Sequence, residues 1–335
     1  MDPLVDRFGR RMEDLRISLT DRCNFRCIYC MPEGEMEWIP NEKILTFPEI
    51  VRLARLFVRL GIREIRLTGG EPTVRAGLPD LIRELSRLRA DGLQSLSLTT
   101  NGFRLKTLAR DLAEAGLTRI NVSLDSLDRV KFFRMTRRDA LDRVLAGLEE
   151  LEKYPSVHPI KVNCVTIRGF TTEDDIVAFA HFARRKPYIV RFIEFMPLDA
   201  DGNWRRELVL TGEEVRRIIS ERVMPLEPLP LDDPSSTARR YRFVDGIGEI
   251  GFINPVSEPF CATCNRVRLT ADGQLRTCLF SIDETDLRTP LRAGASDDDL
   301  IALIRQAVWA KEKKHRINEG EAFRRASRSM SQIGG

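Results

Sequence analysis

Between Leu15 and Phe195 the chain repeats one pattern six times, a short β-rich run followed by an amphipathic helical run. LRISL (15–19), EIRLT (64–68), LSLTT (96–100), RINVSL (119–124), IKVNCVTI (160–167) and YIVRFIEF (188–195) read as strands. Helical runs occupy 46–60, 78–90, 105–115, 140–153 and 172–185, and another opens at Thr211. Thr46 with Glu49, and Thr211 with Glu214, have the spacing of capping boxes. Gly61, Gly92 and Gly116 stand where helices should stop. Six such units in succession predict an α/β fold with a parallel sheet and right-handed crossovers. An open doubly wound sheet and a partial barrel both fit this periodicity. After about residue 225 the pattern changes, and MPLEPLPLDDPSS (224–236) is proline-rich and linker-like. We therefore expect one domain over 1–225 and a smaller one over 226–335.

The chain of 335 residues is 42% hydrophobic, enough for an ordinary core. With 54 basic and 50 acidic residues, the net charge of +4 is too balanced for a general nucleic-acid binder. No apolar run approaches the roughly 20 residues of a membrane span, and MDPLVDRFGRRMED at the start lacks an apolar signal core. These features predict a cytoplasmic protein without membrane or nucleic-acid partners. Six of the seven cysteines fall into two trios, Cys23, Cys27, Cys30 and Cys261, Cys264, Cys278. In a reducing compartment such trios read as metal sites rather than disulfides. Cys164, alone in KVNCVTI, reads as a small buried apolar residue.

The first trio is C-x3-C-x2-C directly after the first strand. Loops at that end of the strands form the active face of α/β folds. Three thiolates can hold three irons of a [4Fe–4S] cluster and leave the fourth open to a small molecule. A structural zinc normally takes four protein ligands, and His158, His181 and His315 all lie far along the chain. C-x3-C-x-aromatic-C after a first strand resembles the signature of the radical S-adenosylmethionine (SAM) superfamily. That resemblance implies that SAM chelates the open iron and is cleaved reductively to a 5′-deoxyadenosyl radical. Gly69-Gly70-Glu71-Pro72 follows the second strand, in register with the superfamily segment that holds the SAM amino group. The resemblance also carries SAM contacts onto Tyr29, Gly70, Ser123 and Met196.

The second trio is C-x2-C-x13-C. A three-cysteine set again leaves an open position, so a second cluster is expected there, with zinc as the alternative. Strands buried on both faces should be apolar, yet Arg16, Arg66, Lys161 and Arg191 lie within strand runs. One buried cation is commonly ion-paired, as Arg191 could be with Glu194. Four, together with Arg266 and Arg268, suggest convergence on a polyanion such as a nucleoside triphosphate.

LRISLTDRCNFRCIYCMP, IRLTGGEPTVR, LTTNG, INVSLDSLD, RFIEFMP, FCATCNRVRLTADGQLRTCLF and the terminal Gly334-Gly335 together resemble the GTP 3′,8-cyclases, the family of molybdenum cofactor biosynthesis protein A. The likeness runs over essentially the whole chain. It implies an incomplete (βα)6 TIM-type barrel with a smaller C-terminal cluster-binding domain, and two [4Fe–4S] clusters facing each other. It carries GTP contacts onto Arg16, Arg66, Thr99, Lys161, Arg191, Arg266, Val267 and Arg268. Catalytic roles fall to Arg266, Arg268, Gly334 and Gly335, the tail reaching between the clusters. The implied chemistry is that of a radical SAM lyase. Hydrogen leaves C3′ of GTP, the carbon radical attacks C8, and reduction gives 3′,8-cyclo-7,8-dihydro-GTP, the first step toward molybdopterin. Implied partners are a reductant protein such as flavodoxin or ferredoxin, and cyclic pyranopterin monophosphate synthase downstream; a homodimer is left open. The competing readings are a radical SAM peptide-modifying enzyme with an auxiliary cluster, and a zinc-dependent nucleic-acid-binding module using KEKKHR (311–316) and RRASR (324–328). Those basic stretches are most simply a solvated helix face. Glu64, beside Arg66, has no evident role.

Overall fold

The computed structural model describes residues 1–231, 233–320, 323–325 and 328–334. β1 (Asp14–Ser18), β2 (Glu64–Thr68), β3 (Ser95–Thr100), β4 (Arg119–Ser123), β5 (Ile160–Thr166) and β6 (Tyr188–Glu194) pair in parallel, in that order. β1 to β4 alternate apolar and polar residues, while β5 and β6 also carry the apolar Val165 and Ile193 on their inner face. The outward residues of these strands, among them Leu15, Ile17, Ile65, Leu67, Leu96, Leu98, Ile120 and Val122, are fully buried in the main core. Burying each such side chain stabilises the fold by about 1.5–3 kcal/mol. The helices that cover them are α1 (Phe47–Arg59), α2 (Leu78–Ser86), α3 (Leu105–Glu114), α5 (Leu141–Leu151) and α6 (Glu173–Arg185), with α7 (Gly212–Arg222) after β6. Both expected capping boxes form, at Thr46 with Glu49 and at Thr211 with Glu214. α4 (Arg129–Thr136) was not expected; Asp128 caps it by accepting from the Lys131 amide. Its eight residues are too short and too basic to show an apolar period.

The strands after residue 225 do not make a second sheet. β7 (Leu226–Pro228), within the stretch read as linker, pairs with β8 (Arg239–Phe243), and β8 with β9 (Glu249–Ile253). β9 then lies parallel to β6. At the other edge β10 (Arg266–Leu269) lies parallel to β1, followed by antiparallel β11 (Gln274–Arg276) and β12 (Thr285–Asp286). The described strands thus form one sheet in the order β12-β11-β10-β1-β2-β3-β4-β5-β6-β9-β8-β7. Arg16, Arg66, Thr99, Ser123, Asn163, Arg191, Ile253 and Arg266, one from each of the eight parallel strands, line the same cavity. A sheet whose inner face encloses one cavity is a partial barrel, which removes the doubly wound alternative. The remaining helices are α8 (Arg288–Arg292), α9 (Asp297–Trp309) and α10 (Met330–Ile333). No helix among the described residues is long and apolar enough to cross a membrane.

Topology sends the two cysteine trios to opposite ends of the β1–β10 pair. Cys23 follows the C-terminal end of β1, while Cys264 immediately precedes the N-terminal end of β10, which runs parallel to β1. β11 runs back antiparallel to β10, which returns Cys278 to the end where Cys264 lies.

Candidate active site

The six cysteines of the two trios line one cavity of about 1700 Å³, mouth included. All six are free and half-buried, whereas Cys164 is fully buried in the core. α4 holds the first trio's loop, because Arg26 and Ile28 donate their backbone N–H to Thr136 O and Met135 O at 2.9 and 3.0 Å. From the other side comes the Gly69-Gly70-Glu71 turn. Gly70 N donates to Thr20 O at 2.7 Å and Glu71 N to Arg22 O at 2.8 Å. A Cβ on Gly70 would overlap the carbonyl oxygens of Asp21 and Arg22. The glycines therefore serve first to bring two backbones together behind Cys23.

Gly70→Ala is expected to cost about 1–3 kcal/mol through overpacking and to lower iron loading at the first trio. An unchanged melting temperature together with unchanged iron content would contradict this account.

Two buried carboxylates that sequence reasoning did not single out organise this end. Glu71 accepts from Thr73 N, Thr73 Oγ1, Thr100 Oγ1 and Asn101 N at 2.5–3.0 Å. Asn101 Nδ2 in turn donates to Asn24 Oδ1 at 2.8 Å. Asp125 accepts from Tyr29 Oη and from Val165 N, both at 2.9 Å. Burial pushes its carboxyl up to about 6, against the pull of those two hydrogen bonds. Burial likewise raises the Cys23 thiol to about 11, with Glu71 adding to it, and the Cys30 thiol to about 12.

The second trio sits among cations instead. Burial opposes ionisation of Cys264, yet Arg266, Lys311 and Arg10 outweigh it and bring the thiol down to about 7. Lys311 is buried, and its Nζ donates to Arg266 O at 2.9 Å and to Thr277 O. His315 is buried and lines the cavity. The solvated-face reading of 311–316 is therefore corrected for these two residues; Lys311 is drawn inward because it satisfies two carbonyls beside the cysteines.

Among the described residues, no three His, Cys, Asp or Glu side chains converge closely enough to chelate one ion. Each trio is arrayed along the cavity wall, as ligands to separate irons of one cluster must be. Thiol donors in threes with an open side fit a [4Fe–4S] cluster.

Between the trios lie the cations. Arg16 pairs in register with Arg66 and with Arg268, and Asp14 with Arg266. Arg191 Nη2 and Nε donate to Asn121 Oδ1 and Asn163 Oδ1 at 2.8 and 2.9 Å. It does not pair with Glu194, whose carboxylate accepts from the Val256 and Ser257 amides at 2.9 Å. Arg266 donates to Ser235 O at 2.8 Å and lies over the Phe260 ring. Arg268 Nη1 donates to Gly334 O at 2.5 Å. Among the described residues, the ion pair of Arg16 with Asp14 at 3.9 Å is the only one that Arg16, Arg66, Lys161, Arg191, Arg266 or Arg268 makes. Burial, then Arg66 and Arg119, lowers Arg191 to about 9. Burial, then Arg191 and Arg66, lowers Lys161 to about 7.

Tyr29, Gly70, Thr99, Ser123 and Met196 line the cavity with these residues. Lys161 is half-buried and does not reach the wall, and the Val267 side chain points into the core. Gly334 is buried with φ +83°, and a Cβ there would sit 2.9 Å from Ser18 Cβ. Gly335 lies outside the described residues. Glu64 acquires a role: it meets Arg119 Nη2 at 2.7 Å and thereby neutralises a strand cation that sequence reasoning passed over.

Residues 17–183 match the Radical SAM superfamily, and residues 188–317 match the family described as Molybdenum Cofactor Synthesis C. The chain is 49% identical to GTP 3′,8-cyclase of Rhodopirellula baltica, over 99% of this chain and 92% of that protein. It is 44% identical to GTP 3′,8-cyclase of Paenarthrobacter nicotinovorans, over 99% of this chain and 97% of that one. The solved structure of Streptococcus suis SuiB bound to S-adenosylmethionine shares the fold, with TM-score 0.59 at 14% identity over 88% of this chain and 68% of that one. Two cysteine trios, an intervening bed of arginines and full-length relatives at this identity lead to one assignment: the chain belongs to the GTP 3′,8-cyclase family of the radical SAM superfamily.

Proposed function

We infer that this protein cyclises GTP to 3′,8-cyclo-7,8-dihydro-GTP in molybdenum cofactor biosynthesis. The observation that carries the reading is the bed of cations between two cysteine trios, nearly free of carboxylate partners. Buried like charges raise the energy of the empty site, and a triphosphate relieves it. Lys161, held low by burial and then by its cationic neighbours, takes up a proton more readily once phosphate arrives. Arg16, Arg66 and Arg191 grip phosphate oxygens, while Arg266 and Arg268 hold the nucleotide toward the second trio. When bound, [4Fe–4S] clusters on the two trios supply the electron that cleaves SAM and an open iron for the guanine. Tyr29, Gly70, Ser123 and Met196 orient SAM at the first trio. The barrel wall fixes the ribose and excludes water and stray hydrogen donors. Residues 1–225 carry the first trio and most of the phosphate-binding cations, and 226–335 carry the second trio and the Gly334-Gly335 tail. A low-potential reductant such as flavodoxin or ferredoxin feeds the site, and cyclic pyranopterin monophosphate synthase takes its product.

The test is anaerobic incubation of reconstituted enzyme with SAM, reductant and GTP. GTP-dependent formation of 5′-deoxyadenosine and a cyclised nucleotide is expected; 5′-deoxyadenosine with no change in GTP would overturn the reading.

The double variant Arg266→Ala/Arg268→Ala is expected to lose roughly tenfold or more in GTP affinity, at about 1.5–3 kcal/mol per charge-assisted hydrogen bond, with SAM affinity nearly unchanged. Equilibrium dialysis measures both.

A further inference from the structure

From sequence, RRASR (324–328) reads as a solvated face, but Arg328 is half-buried and turned onto the protein. Its side chain is 19% exposed, and its guanidinium is fully engaged with protein carboxylates. Nη1 and Nη2 donate to Asp272 Oδ1 and Oδ2 at 3.1 and 2.9 Å, and Nε meets Glu284 Oε1 at 2.8 Å. Glu284 also takes Arg276 Nη1 at 2.5 Å, and Arg276 is almost completely buried. Asp272 lies in the β10–β11 turn, where Thr270 Oγ1 donates to it at 2.6 Å. Arg276 and Glu284 bracket Cys278 in sequence. The four charges therefore join the hairpin and the Cys278 segment to the base of the C-terminal tail.

Beyond Arg328 the tail enters the cavity region. Met330 lines the cavity with Cys30, and Gly334 packs on Ser18 and Thr68, at the ends of β1 and β2 that lead into the first trio's loop and the Gly69-Gly70 turn. Ile333 is buried, and Gly334 O accepts from Arg268 Nη1. A four-residue helix such as α10 cannot sustain itself. Its seat has to be imposed by tertiary contacts: Ile333 packs in a cluster with Val256 and Phe280, and Arg328 is the anchor at the entry.

We propose that Arg328 is a positioning residue that seats the C-terminal tail against the first cysteine trio. It does so from the segment carrying Cys278, through Asp272, Glu284 and Arg276. One charge network thus links the segment of a second-trio ligand to a peptide that lies in the same cavity as the first trio and packs on the end of β1 before it. The catalytic consequence rests on the GTP-cyclising reading; the structural one does not. A bidentate guanidinium is required, because a lysine cannot hold both oxygens of Asp272 and Glu284 at once.

The test uses the full chain, anaerobically reconstituted, as wild type, Arg328→Ala and Arg328→Lys. Hydrogen exchange at the amides of 329–334 is read beside that of β1 as an internal control. In Arg328→Ala the tail amides should lose protection while β1 keeps it. Turnover of GTP should fall roughly tenfold or more with KM for GTP unchanged, and Arg328→Lys should recover only part of the loss. If β1 also loses protection, Arg328→Gln replaces the alanine variant and is judged by the same criteria. Tail protection equal to wild type would overturn the proposal, as would a deprotected tail with undiminished turnover. If wild-type enzyme leaves GTP unchanged, the function reading fails, while the exchange result still decides whether Arg328 seats the tail.

Discussion

Cys27→Ala is expected to lose reductive cleavage of SAM down to the background of enzyme-free controls. The loop around Cys27 is held by backbone bonds that the substitution leaves intact. Cys30 N and Met31 N donate to Cys27 O at 2.9 and 3.0 Å, and α4 accepts the flanking amides of Arg26 and Ile28. Phe25 remains wedged edge-on between Phe103 and Phe132. Only a ligand is removed, so the variant should fold and melt close to wild type. Two thiolates cannot retain the three-point attachment that leaves one iron free for SAM. Quantifying 5′-deoxyadenosine after anaerobic reconstitution with SAM and reductant checks the result. Retained cleavage would remove the first trio from the mechanism.

The triple variant Cys261→Ala/Cys264→Ala/Cys278→Ala should abolish GTP cyclisation and keep a SAM-responsive cluster at the first trio. The two trios occupy opposite ends of the β1–β10 pair, and their thiols have different neighbours. Burial and Asp125 raise Cys27, while Arg266 and Lys311 counter burial at Cys264. Neither set shares a supporting carboxylate with the other. Electron paramagnetic resonance of the reduced variant, with and without SAM, reads the remaining cluster directly. A folded variant with no such signal would show that the sites are assembled together.

The six strand–helix units were legible from periodicity, which fitted an open sheet and a barrel alike, and the family resemblance supplied the barrel; in β1 and β4 the outward positions are apolar and the inward ones polar at period two. Leu15 and Ile17 flank Arg16, and Ile120 and Val122 flank Asn121. The cations on strands looked like violations of burial; they are the inward members of that alternation. Counting back by two from Ser123 would also have found Asn121, and from Val165, Asn163. What stayed hidden depends on contacts distant in sequence. Nothing local marks Asp125 as the partner of Tyr29, or Glu64 as the partner of Arg119. Lys311 and Arg328 sit in runs whose composition matches a wetted surface, and only tertiary packing turns them inward. The return of β9 and β10 to the two edges of the first sheet was equally invisible, because short strands after a proline-rich stretch suggest a separate layer.

That return bears on how the chain is made. β1 leaves the ribosome long before β10, so Asp14 finds its partner only when Arg266 has been synthesised. β6 waits in the same way for β9. Until then a nearly finished barrel carries two open edges, each a row of unpaired backbone groups able to template onto a neighbouring nascent chain. Contacts so remote in sequence are also slow to form. Biogenesis of this protein thus has its most vulnerable interval late, after the six strand–helix units are complete and before the last third arrives, which is the stage at which a chaperone that shields strand edges does most to raise the yield of native enzyme.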